Sequence, residues 1–126
     1  MKISEVLGFP AFYQAVRAEK LPIKTAYKLS KLSKAVAKEV EFYQESFQKI
    51  MDTYAQHGED GNYIFTEDGQ GIQIQDGKQE ECFKKIEELK DIDIEMPAIT
   101  FKFEDFEDVS ISADEMDSLV PFLDEE

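Results

Sequence analysis

Residues 23–54 contain no proline or glycine, and their apolar side chains recur at steps of three and four residues. That spacing places the side chains on one face of an α-helix. Pro22 suits a first helical turn because its missing N–H needs no partner there, and Gly58 predicts the stop. We therefore predict a helix over residues 22–54, about 50 Å long, with the rest of this chain or another molecule packed along it. Its apolar face consists of Leu29, Leu32, Val36, Val40, Tyr43, Phe47, Ile50 and Tyr54.

A shorter helical segment over residues 4–19 precedes the long helix and is interrupted, or begins again, at Pro10. Its apolar face consists of Phe9, Phe12, Tyr13 and Val16. Because the link over residues 18–21 is short, the two segments are predicted to form an antiparallel helical hairpin. Ile23 and Tyr27 lie off the main apolar face of the long helix, and we expect them to receive the first helix.

The chain changes character after residue 57, where Asp-Gly pairs recur every eight residues from Asp60 to Gly77 and each signals a turn. Residues 62–66 and 71–75, between these turns, have β character and predict a β-hairpin. Residues 78–90 are predicted to form a short amphipathic helix. Its inward side chains are Cys82, Phe83, Ile86 and Leu89.

The C-terminal part alternates apolar and polar residues over 92–96 and over 99–103, on either side of Pro97. Each run is typical of a strand with one buried face. Ser112 and Glu115 have the spacing of a capping box, which predicts a final short helix. The side chains expected to attach this segment to the core are Phe103, Phe106, Val109 and Ile111.

These elements together predict an α+β fold in a single domain over residues 1–126. Residues 1–57 form the long helix with its antiparallel N-terminal helix. Residues 58–126 hold the β-hairpin, the short helix and a small acidic C-terminal β/α unit.

Charge is distributed unevenly along the chain. The whole sequence has 14 basic and 28 acidic residues, a formal charge of −14. Residues 1–38 nevertheless hold eight of the basic residues and only two of the acidic ones, so a basic head precedes an acidic body. The overall balance argues against direct binding to nucleic acid or to an anionic membrane, because both need a cationic surface. Apolar content of 42% is too high for a disordered acidic tail.

The lysines of the long helix cluster on an arc separate from its apolar face. This arc includes Lys24, Lys28 and Lys31. One interpretation is a docking surface for acidic groups, either those of a partner or those of this chain's own C-terminal half. The alternative is a solvated face whose aliphatic stems cover apolar surface.

Catalytic and metal-binding motifs are lacking in the sequence. There is no glycine-rich phosphate loop, no Gly-x-Ser-x-Gly and no Cys-x-x-Cys. The single histidine, His57, is expected at the end of the long helix, and the single cysteine, Cys82, is expected in the core. Asp91, Asp93 and Glu95 alternate as the solvent face of a strand does. We therefore predict no enzyme, no metal site and no cofactor.

An acidic row near the C-terminus suggests a second kind of surface. It consists of Glu104, Asp105, Glu107 and Asp108. Carboxylates arrayed on a rigid surface can imitate nucleic-acid phosphates and occupy the basic cleft of a protein that handles DNA or RNA. The alternative is that the acids only keep the protein soluble.

The stretch Lys20-Leu21-Pro22-Ile23-Lys24-Thr25-Ala26-Tyr27-Lys28-Leu29 resembles a family of small phage-encoded acidic proteins of unknown function. In that family a short helix and a Leu-Pro turn lead into a long helix, followed by an acidic Asp-Gly hairpin, a Glu/Lys-rich helix and an acidic C-terminal segment. Here Asp60-Gly61-Asn62-Tyr63, the helix around Phe83 to Leu89, and the segment from Phe106 to Leu119 match those pieces. The resemblance implies a tailed phage or prophage, and it brings no assigned activity.

These observations predict a non-enzymatic protein that acts by binding another protein, either a phage structural or host protein or a second copy of itself. One hypothesis is a virion or assembly component, and the alternative is an acidic inhibitor of a host or defence protein. The expected location is the cytoplasm of the infected bacterial host, or the virion. The residues predicted to bind a partner are Val40, Tyr43, Phe47, Ile50, Tyr54, Lys24, Lys28, Lys31, Glu104, Asp105, Glu107 and Asp108.

Overall fold

Helices make up most of the regular structure in residues 1–124, the part of the chain that the computed structural model describes. The four α-helices are α1 (Phe9–Val16), α2 (Ile23–Tyr54), α3 (Gln79–Lys90) and α4 (Ala113–Leu119). Three short 3-10 turns cover Ile3–Val6, Phe103–Phe106 and Val120–Phe122.

The predicted α+β fold is wrong, because residues 1–124 contain no sheet and no β-hairpin. Extended segments within residues 55–74 are joined only through isolated antiparallel bridges, including His57 with Tyr63 and Phe65 with Ile72. Gly61 and Gly69 adopt φ of +81° and +71°, so the chain turns at both of these Asp-Gly pairs. Between the turns the chain forms single bridges and no regular ladder.

The two segments predicted to be C-terminal strands each form only a single bridge. Lys2 pairs with Asp93, and Phe101 pairs in parallel with Leu123. Pro97, between the two runs, has no N–H to give to a ladder. This segment therefore runs as extended chain along its neighbours instead of forming strands of a β/α unit.

The long helix confirms the prediction, with a small shift at its start. The Pro22 carbonyl accepts the Ala26 N–H at 2.9 Å, so Pro22 is the cap and Ile23 the first helical residue. The helix ends at Tyr54, the last residue of the predicted range, and the stop signal at Gly58 lies four residues beyond it. Its end is set by tertiary contact, since the Tyr54 carbonyl accepts the Gln75 N–H at 3.0 Å instead of continuing the helix.

The described chain divides into two compact units, and α2 contributes residues to both. Unit 1 comprises Met1–Glu41 together with the described part of Ile92–Glu126, and unit 2 comprises Phe42–Asp91. The prediction of a single domain stays a prediction.

Unit 1 has a core of aromatic rings in which α1 packs chiefly on α4. The ring of Phe9 meets that of Phe122 edge-on at 5.4 Å, and the ring of Phe12 meets that of Phe106 at 5.7 Å. The predicted antiparallel hairpin of the first helix with α2 is therefore not the main contact of α1, because the C-terminal segment covers its apolar face. The α2 side chains in this core are Leu29, Leu32 and Val36.

The predicted cap of the last helix is confirmed. The Ser112 hydroxyl accepts the Glu115 N–H at 3.1 Å, and α4 begins at the next residue, Ala113. Leu119 is fully buried at the other end of this helix. A local sequence signal thus sets the position of α4.

Unit 2 is built around the end of α2 and the predicted short helix, which is confirmed as α3. Its buried side chains are Met51, Ala55, Cys82 and Leu89. The prediction that Phe83 points inward is wrong, because Phe83 is exposed. Cys82 and Leu89 are two helical turns apart and define the buried line, and Phe83 lies about 100° around the helix from Cys82.

Candidate functional site

The predicted apolar binding stripe on α2 is half-buried along its length. Its residues are Val40, Tyr43, Phe47, Ile50 and Tyr54. The rings of Tyr43 and Phe47 stack on each other with centroids 6.1 Å apart. Desolvation raises the pKa of Tyr54, and the Glu81 carboxylate on α3 adds to that effect. The unit 2 residues of the stripe are thus partly covered by their own unit, which leaves little of them for a partner.

The three predicted lysines differ in their surroundings. Lys24 and Lys31 are exposed. Lys28 is half-buried, and its Nζ donates to the Thr100 carbonyl at 3.0 Å and lies 5.7 Å from the centroid of the Phe101 ring. Lys28 therefore holds the C-terminal segment of unit 1 against α2, through a carbonyl and a ring face and not through a carboxylate.

The predicted acidic row surrounds the 3-10 turn Phe103–Phe106. The Asp105 carboxylate accepts the Lys102 N–H at 2.9 Å and so caps this turn. The four acids line a cavity of about 150 Å³ together with Val109 and the residues Lys20, Leu21 and Pro22, which precede α2. The structure thus brings the basic start of α2 and the acidic turn together.

Exposed apolar side chains occupy the same region, and the sequence analysis did not identify them as a site. The most exposed is Ile23 at 87%, followed by Tyr27 at 67% and Phe103 at 61%. Ile23 and Tyr27 are one helical turn apart and share a face of α2. The prediction that they receive the first helix is wrong, as is the prediction that Phe103 attaches its segment to the core.

Phe103 lies between two points at which its segment contacts the start of α2. Thr100 is held by Lys28 on one side, and the residues from Glu104 onward line the cavity with Lys20 on the other. The segment therefore runs beside the first turns of α2 and carries Phe103 with it. We call Ile23, Tyr27 and Phe103 the α2 patch. Its sequence signal was the offset of Ile23 and Tyr27 from the buried face of the helix.

A polar network on unit 2 holds the loop after α2 to the helix. The Tyr63 hydroxyl donates to the Asp52 carboxylate, and the Gln48 amide donates to both side chains. These bonds lower the pKa of Asp52, and the bond to Asp52 raises the pKa of Tyr63.

The His57 ring lies 5.1 Å from that of Tyr63. His57 was expected at the helix end, but it lies in the bridged segment beyond Tyr54.

The remaining candidates for chemistry have structural surroundings. Burial raises the pKa of the Cys82 thiol, which makes it a weaker nucleophile. Asp93 forms an ion pair with Lys2 at 3.0 Å, and this partner lowers the pKa of Asp93. Within residues 1–124, no three His, Cys, Asp or Glu side chains are grouped so that they could hold a metal ion. None of the helices described there combines the length and apolar character needed to cross a membrane.

Comparison of this chain with protein-family models, with curated proteins and with solved structures finds no match. The resemblance to phage-encoded proteins therefore stays a prediction. A function has to be argued from the surface itself, and within unit 1 the α2 patch is its most exposed group of large apolar side chains.

Proposed function

We propose that this chain is a non-enzymatic, phage-encoded protein that acts by binding another protein, as a virion or assembly component. The observation that carries the proposal is the α2 patch. Isolated apolar side chains are ordinary on protein surfaces, whereas Ile23 and Tyr27 are exposed one helical turn apart beside exposed lysines. Large apolar side chains that are grouped and rimmed by charge are typical of a protein-binding site.

The chemistry of the patch fits a protein partner. Aromatic side chains such as Tyr27 and Phe103 supply much of the energy of protein interfaces when they enter a partner's pocket. Lys24 and Lys31 lie on the same half of α2 as the patch, and the acidic turn lies at its tip. Charges around an apolar centre add little affinity, but they select the partner and its orientation.

The alternative, an acidic inhibitor that imitates nucleic acid, has less support. A mimic needs carboxylates that present an unbroken negative surface to a basic cleft. In this chain the acidic row shares its cavity with Lys20, and Asp105 caps its own turn. Lys20 therefore lies beside the row, so the row is not an unbroken negative surface, although acids outnumber it there.

Photo-crosslinking in producing cells tests the proposal. A photoreactive phenylalanine analogue replaces Tyr27 or Phe103 in turn, and a matched control carries it at Phe83, which is equally exposed but lies on unit 2. We expect covalent adducts with a protein from the two patch positions and not from the control position. Absence of adducts from both patch positions would refute the proposal, as would equal labelling from Phe83.

A further inference from the structure

We propose that the α2 patch binds the α2 patch of a second copy of this chain, in an antiparallel contact with a two-fold axis. This inference rests on the proposed function and names its partner. A two-fold contact requires a surface that is complementary to itself, so that each group on one protomer meets the opposite kind of group on the other.

The distribution of charge around the patch meets this requirement. Along the axis of α2, the acidic turn lies at the tip, beside Leu21 and Pro22. Ile23 and Tyr27 follow, and Lys31 lies one turn beyond Tyr27. With a rise of about 1.5 Å per residue, Lys31 is about 9 Å from the middle of the apolar pair. The acidic turn, with Lys20 beside it, and Lys31 thus flank the apolar centre at opposite ends, and Lys24 lies between Ile23 and Tyr27.

A two-fold rotation about that centre reverses the second helix. The Lys31 side chain of each protomer then faces the acidic turn of the other, and Tyr27 meets the apolar pair of the other helix. In a parallel arrangement lysines would face lysines, which is repulsive. The charges therefore favour the antiparallel arrangement.

Other acidic proteins could also meet the lysines, but the apolar centre distinguishes a second copy. The copy brings an acidic turn and an apolar patch at the same spacing on one face. The carboxylates most available for this contact are Glu107 and Asp108, which are exposed, whereas Asp105 already caps its own turn.

A charge-swap experiment tests the two-fold contact. Lys31→Glu and Asp108→Lys are each purified, and association is measured by sedimentation velocity over a range of concentrations. We expect the unchanged protein to form a dimer and each variant to dissociate at least about tenfold more readily, because the symmetry places every repulsion in the contact twice. Mixing the two variants should restore the dimer, because each of the two equivalent contacts then pairs one carboxylate with one ammonium group. In one contact both charges are the introduced ones, and in the other the unchanged Asp108 faces the unchanged Lys31.

Matched controls separate this contact from general effects of charge. Lys38→Glu and Asp117→Lys make the same charge changes at exposed positions outside the patch, and both should dimerise as the unchanged protein does. Circular dichroism of each variant checks that the fold is intact. Restoration in the mixture is itself evidence that both variants are folded.

Three results would overturn the inference. One is a monomer at all concentrations, and another is a dimer that neither charge reversal weakens, because its contact then lies elsewhere. The third is dissociation of both variants without restoration on mixing. The proposed function is judged separately: crosslinks from Tyr27 to a different protein would leave it standing while the second copy is ruled out, and absence of any crosslink would remove both.

Discussion

Lys28 provides a direct test of how the C-terminal segment is held to α2. In Lys28→Met the aliphatic stem remains, but the cation that contacts the Thr100 carbonyl and the Phe101 ring is lost. A hydrogen bond from a charged donor contributes about 1.5–3 kcal/mol, and an exposed cation–π contact about 0.5–1 kcal/mol. Because Thr100 is exposed and Lys28 only half-buried, water weakens both contacts, and the sum of the two lower limits, about 2 kcal/mol, is taken as an upper bound. The expected loss of stability in unit 1 is about 1–2 kcal/mol.

Amide hydrogen exchange is the assay, because the Phe101 N–H reports on the attachment of its own segment. That group donates to the Phe122 carbonyl at 2.8 Å and is released when the segment detaches. A loss of about 1–2 kcal/mol corresponds to exchange about five- to thirtyfold faster. Lys38→Met is the matched control, since Lys38 is exposed on the same helix, and it should change stability by less than about 0.5 kcal/mol. Equal exchange rates in the two variants would refute the reasoning.

Two further predictions concern unit 2. Gly61→Ala should destabilise by about 1 kcal/mol in urea denaturation, because its φ of +81° is strained for any residue with a Cβ. Gly71→Ala is its control, since a Cβ there meets Thr66 only in ordinary contact at 3.6 Å; equal losses in both would contradict this account. The pKa of Asp52 is lowered in the folded protein, so its contribution to stability is present above the ordinary value of 3.8 and is lost as the pH falls through the folded value. Tyr63→Phe should raise the pKa of Asp52 towards 3.8 in a carboxyl NMR titration, and an unchanged pKa would mean that the Tyr63 bond is not made in solution.

The helices could be predicted because their signals are local. The apolar spacing of α2, the amphipathic pattern of α3 and the cap at Ser112 each act within a few residues of one another. Helix ends that depend on tertiary contact could not be predicted in the same way. The apolar pattern of α2 ends at Tyr54 as the helix does, but the stop signal at Gly58 did not reveal that the Tyr54 carbonyl accepts the Gln75 N–H.

The predictions of β-strands were wrong for a related reason. Residues 62–66 have β-forming side chains, but a ladder needs a partner in register over several residues. The side chains near the turns bond locally instead, as when Asp60 accepts the Asn62 N–H at 3.0 Å. Alternation of apolar residues over 92–96 similarly indicated one buried face without indicating whether a neighbouring strand exists.

The charged groups of the candidate surface could be predicted from the sequence, but their proximity in the fold could not. The lysines of α2 and the acids of the C-terminal turn were recognised separately from charge alone. Their proximity depends on the contact of Lys28 with Thr100, 72 residues later in the chain. The apolar centre was missed because an apolar residue beside a helix face is normally assumed to be covered. For Ile23 and Tyr27 the described part of the chain supplies no cover.

The discontinuity of unit 1 has a consequence for how the protein is made on the ribosome. The rings of Phe9 and Phe12 leave the ribosome long before their partners Phe122 and Phe106, and unit 2 is synthesised in between. At about 5–20 residues per second this delay lasts roughly 5–20 s. During that time unit 2 can fold from contacts close in sequence, while the apolar side chains of α1 remain exposed to solvent. Until residues 106–122 are synthesised, Phe9 and Phe12 lack their ring partners, and a nascent chain of any shorter length exposes them to chaperones and proteases.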